Sequence, residues 1–150
     1  MAKSKPKKPP PSIDVVPANV KYEPDEKPKK KHHWANDFPG FIELPPKSGI
    51  QVGKCPSSLT PALAEPILRR GVGFNPPRWD KPWVERIYVV HQGTVYRATV
   101  TNANTPSYHG FPELPSRFPK HRELREAVQK LATEESAESA AQVKEWLGST

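Results

Sequence analysis

The sequence predicts an α+β fold in which a small antiparallel sheet, built around one hairpin, packs against a short N-terminal helix and two C-terminal helices, behind a disordered N-terminal tail. Two runs rich in β-branched and aromatic residues, 84–91 and 94–101, flank Gln92-Gly93 and indicate the hairpin. Apolar residues recur at helical spacing over 119–134 and again over 137–147, which predicts the two C-terminal helices.

Residues 1–31 are predicted to be the disordered tail. They hold nine lysines and seven prolines but few apolar side chains, so they bury too little surface to offset the entropy of ordering. Three roles fit this tail: a nuclear-import signal, a phosphate-binding arm, or a solvated tether. Residues 32–150 are predicted to form a single compact domain.

The one cysteine, Cys55, excludes an intramolecular disulfide and a cysteine-rich zinc site. We expect no metal and no cofactor, since the sequence has no P-loop, dinucleotide-binding or H-E-x-x-H motif. No apolar run approaches the length that spans a bilayer, and the basic N-terminus lacks the apolar core of a secretory signal. A cytoplasmic protein is therefore expected, or a nuclear one if the source is eukaryotic.

The remaining elements are predicted from capping and helix-breaking residues. Residues 57–71 are predicted to form a short helix, with Thr60 as its N-cap and a kink or break at Pro66. The stretches 72–83 and 102–118 are predicted to be loops.

A two-residue turn would pair Tyr88 with Arg97 and Val90 with Val95 across the hairpin. One face of the hairpin then carries mainly apolar residues and is assigned to the core, namely Ile87, Val89, Tyr96, Ala98 and Val100. The opposite face is the candidate working face, and it carries Arg86, Tyr88, Arg97, Thr99 and Thr101.

Positive charge is concentrated in the folded part of the chain as well as in the tail. Residues 47–122 carry eleven basic and four acidic residues, whereas residues 123–150 carry a net charge of −3. A basic folded surface favours an anionic partner, and we expect RNA before DNA. An acidic protein is the alternative partner, and no membrane partner is expected.

His109 is the main candidate for catalysis. It lies in Ser107-Tyr108-His109-Gly110, after the hairpin, and a histidine can act as general base or acid near neutral pH. Arg97 would stabilise charge on a phosphate, with Tyr108 beside the histidine, and Glu113 could be the second half of an acid–base pair. The competing interpretation is structural, with a histidine that orders the loop and a glutamate in an ion pair.

Two groups of residues are candidates for nucleic-acid binding. On the hairpin, Tyr88 between Arg86 and Arg97 would form a base-stacking platform. At the start of the first C-terminal helix, where the helix dipole disfavours cations, a bound anion would explain the basic cluster of Arg117, Lys120, His121 and Arg122. The alternatives are an ordinary exposed sheet face and a tolerated surface misfit.

In composition and layout, a compact, basic α+β domain that bears His, Arg and Tyr resembles small RNA-cleaving toxin domains. The resemblance implies a small metal-independent ribonuclease, which is the leading hypothesis. A nonenzymatic module that binds single-stranded nucleic acid is one alternative. A protein-interaction module that uses the proline-rich tail or the basic surface is the other.

Overall fold

The computed structural model describes residues 11–23, 32, 34–43, 46–79, 81–102 and 106–149. Its strands are β1 (Ser12–Val15), β2 (Lys21–Tyr22), β3 (Gly40–Glu43), β4 (Gln51–Lys54), β5 (Val72–Asn75), β6 (Arg86–His91), β7 (Thr94–Asn102) and β8 (Ser107–Pro112). Its helices are α1 (Pro61–Arg69), α2 (Arg122–Glu135) and α3 (Ala137–Gly148), with a 3₁₀ turn at Pro115–Arg117. The α+β class predicted from the sequence is confirmed.

The central hairpin of β6 and β7 organises a six-stranded sheet with the order β1-β5-β6-β7-β8-β2. The hairpin has the predicted register, with Tyr88 opposite Arg97 and Val90 opposite Val95. Gln92 and Gly93 both have positive φ values, as a two-residue type I′ turn requires. The strands β3 and β4 form a separate two-stranded sheet.

Helices or loops cover both faces of the hairpin, which corrects the prediction of one core face and one working face. The predicted core face packs together with Leu68 of α1, as expected. On the other face, Tyr88 and Val95 lie in a second apolar cluster with residues of α2 and α3 that include Leu124, Val128 and Val143. Each C-terminal helix has an apolar stripe that is stable only when it is buried. The apolar residues of this sheet face, Tyr88 and Val95, bury it.

The N-terminal segment enters the sheet well before residue 32, the predicted start of the domain. Strand β1 pairs antiparallel with β5, and β2 pairs in parallel with β8, so the sheet is mixed rather than purely antiparallel. Val16 and Val20, between these strands, are buried in the core. The apolar run around Val15 and Val16 is short and is masked by the lysines and prolines on either side. The tail prediction for residues 1–10 and 24–31 lies outside the described residues.

Both stretches predicted to be loops contain a strand. Strand β5 lies within 72–83 and β8 lies within 102–118, and each is held by hydrogen-bonding neighbours on both sides. Strands this short have weak local signals, because their stability comes from partners distant in sequence. Helix α1 continues through Pro66, and α2 begins at Arg122, three residues after the expected position. In the part of the chain that the structure describes, no helix is both long and apolar enough to cross a membrane.

Candidate functional site

A cleft of about 250 Å³ lies between β8 and the β3–β4 sheet, and the 3₁₀ turn closes one end of it. Side chains alternate along a strand, so His109, Phe111 and Glu113 share one face at the end of β8. This is the same sheet face as Arg97, because Arg97 lies opposite Phe111 in the ladder. The residues that line the cleft include His32, Phe41, His109, Phe111, Glu113 and Arg117.

A threonine on the neighbouring strand orients His109. The Thr101 hydroxyl donates its one proton to the carbonyl oxygen of Glu23, at 2.7 Å. The same oxygen lies 2.9 Å from His109 Nδ1, so it accepts a hydrogen bond from Nδ1–H. In the neutral imidazole the lone pair that can take a proton is then on Nε2.

His32 is oriented in the same way by the backbone of β4. Its Nδ1 lies 2.8 Å from the carbonyl oxygen of Gly53, which can only accept, so Nδ1 carries the proton. Residue 53 must be glycine for β4 to lie this close to β8, because a Cβ there would lie 2.7 Å from the carbonyl oxygen of Pro112. The two sheets can therefore approach closely at this residue, and the lone pair of neutral His32 is again on Nε2.

The two imidazoles belong to one stack of rings. The His32 ring lies 5.7 Å from the His109 ring, centroid to centroid, with 16° between the planes. The His32 ring also stacks on the Phe111 ring, with 4.4 Å between the ring centroids. Two residues far apart in sequence thus present acid–base groups side by side in one cleft.

Glu113 and Arg97 form a buried ion pair beneath this stack. The Glu113 side chain is 1% exposed, and Oε2 lies 3.7 Å from Nη1 of Arg97. Its Oε1 accepts a hydrogen bond from the backbone N–H of Leu114. Burial raises the pKa of the Glu113 carboxyl, and Arg97 acts against that rise. The Arg97 guanidinium also lies 5.9 Å from the centre of the Phe111 ring.

The basic residues expected near α2 have different surroundings. Arg117 is exposed on the 3₁₀ turn, lines the cleft, and donates to the carbonyl oxygen of Gln51 at 3.4 Å. His121 is the N-cap of α2, with Nδ1 accepting from the backbone N–H of Leu124. The Nδ1 atom of His121 is therefore used for the helix cap, and the part of His121 in anion binding stays a prediction. Lys120 and Arg122 are exposed, and Arg122 forms an ion pair with Glu126 within the helix.

Two predicted tyrosines lie in the core instead of the site. Tyr108 is fully buried on the opposite face of β8 from His109, where its hydroxyl donates to the carbonyl oxygen of Val84. Burial raises the pKa of Tyr108 to about 12, so a catalytic proton transfer by this residue is not expected. Tyr88 is also fully buried, so the predicted base-stacking platform does not exist. Arg86 is half-buried and pairs with Glu85.

Sequence reasoning missed His32 as a partner of His109. The available signal was weak: a histidine pair beside Trp34 where aromatic content rises. Only the tertiary structure brings His32 onto Phe111. Among the described residues, no three His, Cys, Asp or Glu side chains are grouped in a way that would hold a metal ion.

Comparison with known proteins gives no relative from which residue roles could be transferred. No protein-family model matches the chain. No curated protein and no solved structure matches it significantly.

Proposed function

We propose that this protein is a small ribonuclease that cleaves RNA by acid–base catalysis in the cleft, without a metal or another cofactor. The observation that carries the proposal is the pair of imidazoles, His32 and His109, 5.7 Å apart in one cleft. Each has its Nδ1 proton directed to a fixed acceptor, so in each neutral ring the basic lone pair is on Nε2.

Two imidazoles are enough to cleave a ribose phosphodiester. The neutral imidazole takes the proton of the 2′-hydroxyl, and O2′ attacks the phosphorus. The bond from phosphorus to O5′ breaks, and the protonated imidazole gives its proton to the leaving O5′. The products are a 2′,3′-cyclic phosphate and a 5′-hydroxyl, so atoms and charge balance without a water molecule or a metal ion. DNA lacks the 2′-hydroxyl and is not a substrate.

The charge around the cleft favours this reaction. Arg117 is exposed at the rim of the cleft, where it can stabilise the negative charge that develops on the phosphate. Arg97 adds a positive charge behind Phe111, although Glu113 balances it in part. The excess of basic residues over 47–122 attracts an anionic polymer to this part of the chain. We propose that the activity is cytoplasmic, since a chain with a single cysteine fits a reducing compartment.

Cleavage by the full chain in EDTA tests the proposal. The substrate is a DNA oligonucleotide with one ribonucleotide, next to an all-DNA control. We expect a single cut 3′ to the ribonucleotide and none in the control. Replacing either His109 or His32 by alanine should reduce the rate by at least roughly 100-fold, because each imidazole transfers a proton in the reaction. The rate should follow a bell-shaped pH profile, since one imidazole must be neutral and the other protonated.

His91→Ala is the matched control, because His91 is a half-buried histidine at the hairpin turn and does not line the cleft. We expect it to cleave like the wild type. Cleavage that survives both His109→Ala and His32→Ala contradicts the site. If no RNA is cut but RNA binds with a salt slope of roughly −0.7 per phosphate contact, the nonenzymatic nucleic-acid-binding function replaces the ribonuclease. If RNA is neither cut nor bound, the protein-interaction module becomes the leading hypothesis.

A further inference from the structure

The cleft has a second wall that the proposed proton transfers do not use. Phe41 of β3 and Ile50, the residue before β4, also line the cleft. Ile50 is 52% exposed, so an apolar surface beside the rings is open to a ligand. Aromatic and aliphatic groups beside a row of rings suit the flat apolar faces of a nucleobase.

The size of the cleft limits what can enter. Its volume of about 250 Å³ is slightly below the roughly 300 Å³ at which pockets for drug-sized ligands begin. One unstacked base fits this description, whereas a base pair within a duplex does not. The substrate strand must therefore be single at this nucleotide, so that the base can leave its stack.

Glu113 lines the same cleft and has unused hydrogen-bonding capacity. Among the described residues, its Oε2 has no hydrogen-bond partner, because the 3.7 Å to Arg97 is too long for one. A buried acceptor without a partner is costly, and buried polar atoms in native proteins are nearly always satisfied. Because Oε2 is buried, the Glu113 side chain must turn toward the cleft to meet N–H donors of a ligand, and such a ligand would then supply the missing partner.

The hydrogen-bonding edges of the four bases differ in the donors they offer to a carboxylate. Guanine has two adjacent donors on its Watson–Crick edge, N1–H and the N2 amino group. Adenine and cytosine each offer one amino group beside an acceptor, and uracil offers one ring N–H between two carbonyl oxygens. A carboxylate has two acceptor oxygens and no donor, so guanine suits it best.

We propose that the cleft binds the base on the 5′ side of the cut and selects guanine through Glu113, so that the protein cleaves single-stranded RNA after guanosine. The proposal rests on the proposed ribonuclease function for the position of the cut. The preference of the cleft for guanine does not depend on catalysis, and binding alone can measure it.

Isothermal titration of the full-length protein with the four nucleoside 3′-monophosphates tests the preference without any cleavage. We expect guanosine 3′-monophosphate to bind at least about tenfold more tightly than the adenosine, cytidine and uridine compounds. In Glu113→Gln, an amide donor replaces one acceptor oxygen, and the advantage of guanosine should disappear. The control is Glu65→Gln, because Glu65 also accepts a backbone N–H, from Tyr22, and forms an ion pair with an arginine, but it is only half-buried and does not line the cleft.

Glu113→Gln leaves Arg97 without its counter-charge, so near-ultraviolet circular dichroism must show that the variant is folded. If the variant is not folded, the affinities of the wild-type protein for the four nucleotides still test the preference for guanine. Equal affinities, or no binding of any nucleotide, overturn the base preference. Cleavage after all four bases at equal rates also overturns it and leaves the ribonuclease proposal intact. Selective binding of the guanosine nucleotide without RNA cleavage supports the base site and contradicts the catalytic function.

Discussion

At the scale of single residues, hydrogen-bond acceptors decide which nitrogen of each histidine can take part in proton transfer. His109 and His32 both direct Nδ1–H to an oxygen that cannot donate back, since the Thr101 proton is already used and Gly53 offers a carbonyl. Such partners hold the ring angle and the tautomer at once. Neither acceptor could be identified from the spacing of residues in the sequence.

Thr101→Val is therefore expected to impair catalysis without unfolding the protein. Valine has nearly the same shape but offers no acceptor to His109 Nδ1–H, so the ring loses its fixed tautomer and orientation. We expect kcat for the single-ribonucleotide substrate to fall by roughly tenfold or more, with KM nearly unchanged. Steady-state kinetics on the purified variant measures both constants.

Thr101→Ser is the control for this positioning role, because it keeps the hydroxyl and removes only a methyl group. It should retain most of the wild-type kcat. Equal kcat values for the valine and serine variants would show that the hydroxyl does not position His109.

At the scale of elements, α2 holds the hairpin turn. Glu135, the last residue of α2, accepts hydrogen bonds from the backbone N–H groups of Gln92 and Gly93, at 2.9 and 3.0 Å. Desolvation acts to raise the pKa of the Glu135 carboxyl, but the nearby Ser139 hydroxyl and the hydrogen bonds from the two turn amides outweigh it and lower the pKa. The charged form of Glu135 is thus the form that stabilises the fold.

Glu135→Gln should lower the free energy of unfolding by about 1 kcal/mol at pH 7, since a charged acceptor of two amides becomes neutral. Because the folded pKa is lowered, the stabilisation is present above the ordinary pKa of a glutamate. It is lost as the pH falls through the lower pKa of the folded state. Urea unfolding at pH 7 and at about pH 3 should show a difference between variant and wild type that shrinks in acid.

Glu134→Gln provides the comparison, because Glu134 is an exposed glutamate beside Glu135 in the same helical turn. It should unfold within about 0.5 kcal/mol of the wild type at pH 7. The role assigned to Glu135 is contradicted if the two substitutions have equal effects at pH 7.

At the scale of the whole molecule, the N-terminal segment contributes an edge strand to each side of the main sheet. Strand β1 extends the sheet beyond β5, and β2 extends it beyond β8. Between them, Val20 is fully buried, and Arg69 donates to its carbonyl oxygen. The same segment supplies the Glu23 carbonyl that receives the Thr101 proton, so it supports both the core and the orientation of His109.

Deleting residues 1–23 should therefore destabilise the protein strongly, whereas deleting residues 1–10 should not. The longer deletion exposes the apolar surface that Val16 and Val20 cover, and burying two valines is worth at least roughly 3 kcal/mol. Urea unfolding of the two truncated proteins compares their midpoints. A midpoint for the 24–150 protein equal to that of the full chain would restore the domain boundary at residue 32.

The sequence by itself determined the features that depend on neighbours along the chain. The Gln92-Gly93 turn and the flanking β-branched residues specify the hairpin register, and α3 begins at residue 137 as predicted, capped by Ser136. Likewise, the apolar spacing of 119–134 identified α2 apart from its first turn. These elements are set by local backbone preference and by the period of the apolar pattern.

Only the tertiary structure decided which surfaces are buried and which residues meet. Tyr88 was predicted to be exposed because it lies between arginines in the face pattern, yet the helices that follow much later cover it. Strand β2 exists through its pairing with β8, and the His32–His109 pair exists because the two sheets approach at Gly53. Burial and strand pairing join segments distant in the chain, and their free energy depends on partners that no local pattern specifies.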